Sequence, residues 1–345
     1  MTDLAEMKRF LSQYDGPELR IMEICGSHTA AIAKSGIKTL LSPKIRLISG
    51  PGCPVCVTPT AYVDRAIALA KREDTCLVTF GDLIRVPGSA ETLSAAKGAG
   101  ARVEMVYAPA DVVAMAKTEP EKQFVFAAIG FETTMPVYAL LMEELLREEV
   151  KNVRLLTALK TMPAAVSYLL DSGADLQGFL APGHVCAVTG SEAFVPLAEK
   201  YGIPFAVAGF EGEELLAALY GLLRMQGKGT VKNFYPTVVT AEGNPKAKAM
   251  IERYFQPTDA AWRGLGIIPG SGMCLRPAYA AFDAGSSDLT EDHQHNPACR
   301  CGQVLTGKLA PTDCPLFGKI CTPLTPQGAC MVSEEGSCHT AIRYA

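Results

Sequence analysis

Short apolar runs of strand length alternate with amphipathic stretches of helical length from about residue 20 to residue 228. The apolar runs are RIMEIC, IRLISG, CLVTFGD, RVEMVY, FVFAAIG, VRLLTAL, GFLAPG and PFAVAG. Segments such as AYVDRAIALAKRE and GEELLAALYGLLRM separate them, and their apolar residues recur at helical spacing. This alternation is typical of βαβ units, so the sequence predicts an α/β fold built on parallel sheets.

The chain of 345 residues is longer than one hydrophobic core usually supports. We predict two parallel-sheet α/β lobes around a central cleft, at residues 20–118 and 119–228. After residue 228 the alternation gives way to Gly- and Pro-rich sequence and then to a cysteine-rich tail. Residues 229–345 are therefore predicted to form a third, irregular domain, and a charged helix within 1–19 is assigned to the same domain.

Five short motifs fall where the predicted strands end. They are CGSH at 25–28, GPGCPVC at 50–56, FGDLIRVPGS at 80–89, GFETTMP at 130–136 and APGHV at 181–185. Ligands of open α/β sheets bind beyond the carboxyl ends of the strands. Glycine and proline in any one of these loops are explained by turn chemistry alone, but five such motifs together predict a shared cleft.

Charge and hydropathy narrow the classes of function. The formal net charge is −4 and no lysine or arginine cluster stands out, so the electrostatic basis of nucleic-acid binding is missing. The amino-terminal stretch carries no apolar run of the kind a signal peptide has, and no later window approaches a membrane-spanning length. We therefore expect a cytoplasmic protein that binds neither nucleic acid nor membrane.

Twelve cysteines need an explanation in such a protein, because a reducing compartment disfavours structural disulfides. Six of them lie between positions 299 and 338: Cys299, Cys301, Cys314, Cys321, Cys330 and Cys338. Thiolates in an irregular loop select zinc or iron–sulfur clusters over hard cations. A structural zinc site usually shows two CxxC pairs, which this tail lacks, so an iron–sulfur cluster is the favoured interpretation.

Cys53 and Cys56 form a CxxC pair between an apolar run and a helical segment that starts near Thr60. At a helix amino terminus the dipole and free amides lower a thiol pKa. A redox dithiol and one half of a metal site are both compatible with this pair, and unreactive loop thiols are a third alternative.

Cys25 and His28 end the strand RIMEIC, and His184 lies in the APGHV loop. A histidine beside a strand-end cysteine can activate the thiol or share a metal with it. Each imidazole is equally well explained as an ordinary hydrogen-bonded polar side chain.

The other cysteines and histidines suggest no chemistry by themselves. Cys76, Cys186 and Cys274 are predicted to be small buried apolar residues. His293 and His295, in the sequence EDHQH, are predicted to lie in a solvated loop.

Taken together, GPGCPVCVTP, CGSH, FGDLIRVPGS, GFETTMP, APGHV and the tail sequence TDCPLFGKICTP resemble the HypD family of hydrogenase maturation factors. The resemblance covers essentially the whole chain. It implies two α/β lobes around a cleft and a 4Fe-4S domain. It also implies partners HypC and HypE, with which the Fe(CN)2CO group of nickel–iron hydrogenases is built while iron is held jointly with HypC.

The resemblance also assigns residues. Its cluster-binding spacing falls on four tail cysteines and leaves Cys299 and Cys330 as bystanders; the four are Cys301, Cys314, Cys321 and Cys338. The family's cleft thiols correspond to Cys25, Cys53 and Cys56, and its motif histidines to His28 and His184. The first motif commonly reads CGxHxH, and Ala30 replaces its second histidine here, so any role of that imidazole is absent or filled by another group.

The mechanism implied by this resemblance divides the sulfurs into two sets. Cys53 and Cys56 are the first choice to hold a transient iron carrying CN and CO ligands, because soft anionic donors suit an incomplete iron centre. Cyanide is expected as a thiocyanate on the carboxyl-terminal cysteine of HypE, and its release requires two electrons. Since a 4Fe-4S cluster delivers one electron at a time, the dithiol is a plausible second store, and Cys25 could join either role.

Polar residues at other strand ends complete the predicted site. Thr133, Thr134 and Glu132 are candidates to bind the transferring group or to shape a groove for the partner. Asp82 and Arg85 are similar candidates, and an ordinary ion pair explains those two about as well.

Two further functions remain open from the sequence. One is a cluster-dependent thiol–disulfide oxidoreductase resembling ferredoxin–thioredoxin reductase. The other is a passive scaffold with a structural cluster.

Overall fold

The computed structural model describes residues 3–293 and 296–344. In this part of the chain the strands are β1 (Leu19–Glu23), β2 (Ile45–Ser49), β3 (Thr75–Thr79), β4 (Val103–Met105), β5 (Gln123–Gly130), β6 (Val153–Lys160), β7 (Gly178–Pro182), β8 (Phe205–Ala208), β9 (Val231–Asn233), β10 (Phe255–Trp262) and β11 (Gly266–Leu275).

The helices alternate with these strands up to residue 224 and become short in the tail. They are α1 (Leu4–Ser12), α2 (Gly26–Lys34), α3 (Ile37–Leu40), α4 (Pro54–Val57), α5 (Thr60–Ala70), α6 (Leu93–Gly98), α7 (Ala110–Thr118), α8 (Met135–Arg147), α9 (Met162–Asp171), α10 (Gly183–Thr189), α11 (Val195–Tyr201), α12 (Gly212–Arg224), α13 (Pro245–Tyr254), α14 (Cys301–Leu305), α15 (Ala329–Val332) and α16 (Ser337–Arg343). Short 3-10 turns lie at Gly81–Arg85, Ser191–Phe194, Pro277–Phe282 and Pro311–Asp313.

The strands form two sheets. In the first sheet the order is β2-β1-β7-β8-β9 and every pair is parallel. Its inner strands β7 and β8 are apolar and buried throughout, as is typical of a parallel sheet covered on both faces. The stacked rings of Phe179 and Phe205 lie 4.8 Å apart in the adjoining core.

The second sheet has the order β10-β11-β6-β5-β3-β4. Its part from β6 to β4 is parallel, whereas β10 and β11 form an antiparallel hairpin that pairs with β6. The predicted α/β class with two parallel-dominated sheets is confirmed.

The strand pairing differs from the expected contiguous lobes at 20–118 and 119–228. Strands β1 and β2 pair with β7, whereas β3 and β4 pair with β5. The chain crosses from the first sheet to the second after β2 and returns with β7. Local periodicity identifies strands but carries no information about which distant strand each one pairs with, so the sequence could not reveal this interleaving.

The predicted irregular domain at 229–345 also begins later than expected. Strand β9 belongs to the first sheet and the β10–β11 hairpin to the second, so the irregular region starts after β11. From there to residue 344 the described chain consists of turns and helices of at most seven residues.

Helix α1 packs on the first sheet's layer rather than on the tail. The rings of Phe10 and Tyr220 lie 5.0 Å apart in an edge-on contact with α12. Leu11 is fully buried in the same apolar cluster. The assignment of residues 1–19 to the third domain therefore differs from the observed packing, which follows from the apolar stripe of an amphipathic helix.

Within the residues that the structure describes, no helix combines the length and the apolar character needed to cross a membrane.

Replacing Leu11 with Ala tests the docking of α1. We expect the free energy of unfolding to fall by about 2–4 kcal/mol, because the change removes a fully buried side chain and leaves a cavity. Leu140, which is 53% exposed, is the matched control, and Leu140→Ala should change stability by less than about 0.5 kcal/mol. Chemical denaturation of both variants measures the difference, and equal effects would contradict the observed packing.

Candidate thiol crevice and tail cavity

The CGSH and GPGCPVC motifs meet at the carboxyl ends of β1 and β2. Cys25 precedes the first turn of α2, and the amide of Gly26 donates to the carbonyl of Gly52 at 3.0 Å. A side chain at Gly52 would overlap the backbone of Cys25, so glycine is required for this approach. Both predicted motifs therefore line one site.

His184 lies against Cys25. Its ring nitrogens are 3.9 and 4.0 Å from the Cys25 sulfur, because the APGHV loop leads from β7, the neighbour of β1, into α10. We call Cys25, Cys53, Cys56 and His184 the thiol crevice.

His28 faces the end of β8 instead. Its Nε2 lies 3.3 Å from the carbonyl oxygen of Ala208 and 3.0 Å from that of Gly209. Because two carbonyl oxygens face Nε2 and both can only accept a hydrogen bond, the proton of the neutral ring lies on Nε2. The buried Nδ1 finds no hydrogen-bond partner among the described residues. The rings of His28 and His184 both contact Phe210, with centroids 4.9 and 5.1 Å away.

Burial controls the protonation of these groups. It lowers the pKa of His28 to about 4 and that of His184 to about 4, so both imidazoles are neutral at physiological pH. Burial also raises the pKa of the Cys25 thiol. The pKa of Glu23, at the end of β1, rises to about 8, chiefly because the carboxyl is desolvated. A neutral carboxyl, a thiol and a neutral imidazole are thus adjacent.

Cys53 and Cys56 are in direct contact. Their sulfurs are 2.6 Å apart, and the amide of Cys56 donates to the Cys53 sulfur at 3.3 Å. Cys53 precedes the first turn of α4, a four-residue helix that contains Cys56, whereas the predicted helix that starts near Thr60 is the following helix, α5.

The two thiols titrate differently. Burial and hydrogen bonding to Cys56 raise the pKa of Cys53. Burial also opposes ionisation of Cys56, but hydrogen bonds from Cys330 and Cys53 outweigh it and bring the pKa of Cys56 to about 6. The pair therefore shares one negative charge, which suits attack on sulfur or binding of a soft metal.

All six tail cysteines line one small cavity of about 10 Å³: Cys299, Cys301, Cys314, Cys321, Cys330 and Cys338. Its other walls are Val304, Phe317, Gly328 and Met331, so the lining is sulfur and apolar groups. We call this the tail cavity.

Cys330 joins the two sulfur sets. Its sulfur lies 2.8 Å from that of Cys301, and it also forms hydrogen bonds with Cys338 and Cys56. No spacing pattern could single out Cys330, because its contact with Cys56 spans more than 270 positions of the chain.

Asp82 and Arg85 both bind the tail. The Asp82 carboxylate accepts from the hydroxyl of Ser333 at 3.0 Å, and the Arg85 guanidinium donates to the carbonyl of Val332 at 3.2 Å. The sequence suggested either ligand binding or an ion pair between these two side chains. The structure instead shows each of them hydrogen-bonded to the tail.

In the GFETTMP loop the glutamate, rather than the threonines, is the buried group. Glu132 is 5% exposed; its Oε1 accepts from the amide of Met162 at 2.8 Å, and its Oε2 has no partner among the described residues. Burial raises the pKa of Glu132 to about 7. Thr133 and Thr134 are half-buried, and the Thr134 hydroxyl donates to the carbonyl of Phe131 at 3.1 Å.

Arg263 is a buried residue of the site that no sequence motif indicated. Its amide donates to Val57 at 2.8 Å and its Nε to Thr58 at 2.7 Å, so it holds the chain that follows Cys56. Its Nη2 is buried and lacks a partner among the described residues, and its charge favours the Cys56 thiolate.

The remaining predictions are mostly confirmed. Cys76 and Cys186 are fully buried, whereas Cys274 is only half-buried. His293 is exposed and lies 3.2 Å from a carboxylate oxygen of Glu291. The prediction for His295 concerns a position outside the described residues.

The tail cavity supplies the donor chemistry of an iron–sulfur cluster. Among the described residues, no group of three or more His, Cys, Asp or Glu side chains is placed to hold a metal ion. The thiolates of a four-iron cluster each bind a different corner. Six thiols around one apolar cavity supply the soft donors that iron–sulfur clusters use.

The fold and site thus define an α/β protein with a thiol crevice joined to a cysteine-lined cavity. The HypD profile, described as "Hydrogenase formation hypA family", matches residues 3–345. This chain belongs to the HypD family of hydrogenase maturation factors.

Individual relatives support the assignment to this family. The chain is 44% identical over 339 residues to the hydrogenase expression/formation protein HupD of Azotobacter chroococcum mcd 1, covering 95% of this chain and 89% of that protein. It is 44% identical over 336 residues to hydrogenase maturation factor HypD of Rhizobium leguminosarum bv. viciae, covering 94% and 87%. It is 42% identical to HypD of Rhodobacter capsulatus, covering 99% and 94%.

The variant Glu132→Gln tests the buried carboxyl. The pKa of Glu132 is about 7 when folded, above its ordinary 4.5, so the folded protein binds the extra proton between these pH values. The stability that comes from this extra proton is therefore fully present below about pH 4.5, and it is lost as the pH rises through about 7. Glutamine does not titrate, so the stability of the variant relative to wild type should rise by about 3 kcal/mol across this window.

Denaturant unfolding at a series of pH values measures this difference. Exposed Glu213→Gln serves as the control and should give a curve parallel to wild type. A parallel curve for Glu132→Gln would show that the carboxyl is solvated in the folded protein.

Proposed function

We propose that this protein helps to assemble the Fe(CN)2CO group of nickel–iron hydrogenases, holding iron together with HypC and accepting cyanide from HypE. The observation that carries the proposal is the contact of Cys330 with Cys301 and Cys338 on one side and Cys56 on the other. It joins a cavity suited to a cluster to a crevice suited to a soft iron cargo.

In this proposal, tail-cavity thiolates hold a 4Fe-4S cluster, and Cys314, Cys321 and Cys338 are three of its ligands. When bound, the cluster would supply single electrons. The apolar wall formed by Val304, Phe317 and Met331 would exclude water from this site.

The fourth ligand is open to direct test. The spacing of the family motif assigns it to Cys301. Cys299 is a competitor, because its side chain lines the same cavity as Cys314, Cys321 and Cys338.

In the crevice, Cys53 and Cys56 would hold the incomplete iron centre as the cargo. Their shared negative charge and short separation favour a soft ferrous ion. Arg263 would balance the added negative charge, since its guanidinium is buried and its Nη2 has no hydrogen-bond partner in the described chain. Cys25 and His184 would form the opposite wall, 3.9 Å from each other.

Alanine variants separate the two sulfur sets. Cys53→Ala and Cys56→Ala should abolish iron retention by the complex with HypC while leaving acid-labile sulfide and cluster absorbance unchanged. Cys314→Ala should remove the cluster signals. Cys274→Ala, at a half-buried position outside both sites, is the control and should retain both properties.

The same anaerobic preparations identify the fourth ligand. Cluster loss in Cys301→Ala but not in Cys299→Ala would support the motif spacing, and the reverse result would support Cys299. The overall proposal fails if the wild-type protein contains no acid-labile sulfide, or if the crevice thiols are dispensable for making active hydrogenase.

A cluster-dependent thiol–disulfide oxidoreductase is the second candidate, and the contact between the Cys53 and Cys56 sulfurs favours it. Such an enzyme would reduce protein disulfides without HypC or iron. Assays with a disulfide substrate and no added iron therefore distinguish the two functions.

A further inference from the structure

Residues 329–335 of the tail lie across the thiol crevice. We call this stretch the closing segment. The Cys56 sulfur faces the carbonyl of Ala329 at 3.9 Å, and the Ser333 hydroxyl is hydrogen-bonded to the Cys53 thiol. With it in place, Cys25, Cys53 and Cys56 are at most 3% exposed.

Two polar side chains fix the closing segment. The Ser333 hydroxyl contacts Cys53 and donates to Asp82 at 3.0 Å, so it connects the GPGCPVC and FGDLIRVPGS motifs. The Glu335 carboxylate accepts from the hydroxyl of Ser27 at 2.5 Å, next to Cys25. A side chain at Gly26 would overlap Glu335, so the segment and α2 are in close contact.

Most of the closing segment is buried where it meets the thiol crevice. Ser333 is 2% exposed although its side chain is polar, and Met331 and Val332 are buried beside it. A buried hydroxyl must be hydrogen-bonded to avoid a desolvation cost, and Ser333 meets this requirement only through groups of the crevice motifs and its own segment.

We propose that the closing segment is a wall of the thiol crevice, and that Ser333 and Glu335 are positioning residues for Cys53 and Cys25. The crevice is therefore incomplete without the tail, and the two sulfur sets cannot be divided into independent domains. This inference goes beyond the proposed function, because it concerns access to the thiols and involves neither iron nor a partner protein.

Alkylation of the full-length protein by iodoacetamide tests the proposal, with each cysteine quantified by mass spectrometry. In Glu335→Ala the labelling rate of Cys25 should rise at least about tenfold, and in Ser333→Ala that of Cys53 should rise similarly, because labelling of buried groups follows local opening. Glu335→Gln and Ser333→Thr keep a hydrogen-bonding oxygen and should restore protection.

Glu334, which precedes Glu335 in the chain, provides the matched control. Glu334 is exposed and lies 3.2 Å from Arg343, away from the crevice, so Glu334→Ala should label as wild type does. Cys76, buried in β3, reports global unfolding and should remain protected in every variant.

If Glu335→Ala exposes Cys76 as well, Ser27→Ala removes the same hydrogen bond from the opposite side and should expose Cys25 selectively. If Ser333→Ala does so, Asp82→Ala removes the bond between Ser333 and Asp82 and should expose Cys53 selectively. Wild-type labelling of Cys25 and Cys53 in folded variants would overturn the proposal. So would equal labelling of Glu334→Ala and Glu335→Ala. Neither result would bear on the cluster or on iron retention.

Discussion

The burial of sulfur is the physical constraint on which the rest of this structure depends. A thiolate in an apolar interior is costly unless hydrogen bonds or positive charge stabilise it. Here the Cys56 charge is supported by Cys53, Cys330 and the nearby guanidinium of Arg263. Each comes from a different part of the chain, so this charge can be accommodated only when the first sheet, the second sheet's hairpin and the tail are assembled together.

The interleaved sheets bring the loops of the thiol crevice together. The chain leaves the first sheet after β2 through the loop that carries Cys53 and Cys56, and it returns with β7, whose following loop carries His184. Parallel strands place such loops at one edge of a sheet. Two contiguous lobes would separate these loops, whereas the interleaved arrangement brings Cys25 and His184 within 3.9 Å of each other.

Local chemistry was therefore readable from the sequence, and long-range pairing was not. The strand runs, the helix start at Thr60 and the clustering of the tail cysteines all depend on neighbouring residues. The roles of Cys330 and Ser333 depend on contacts across more than 250 positions, which no spacing rule encodes. Glu23 did leave a local signal, since it is a charged residue at the end of a strand whose other buried positions are apolar.

The segment 262–264 shows how the fold sets the separation of the two sulfur sets. The ring of Trp262 stacks on Phe131 beside the buried Glu132, and Arg263 holds the chain after Cys56. Gly264 has φ +74° and lies so close to Gly302 that a side chain would overlap its backbone. Because both glycines permit backbone contact next to Cys301, the tail cavity is fixed relative to the crevice by main-chain packing. Helix α15, which carries Cys330, packs on α4, which carries Cys56, and the two sulfurs come into contact there.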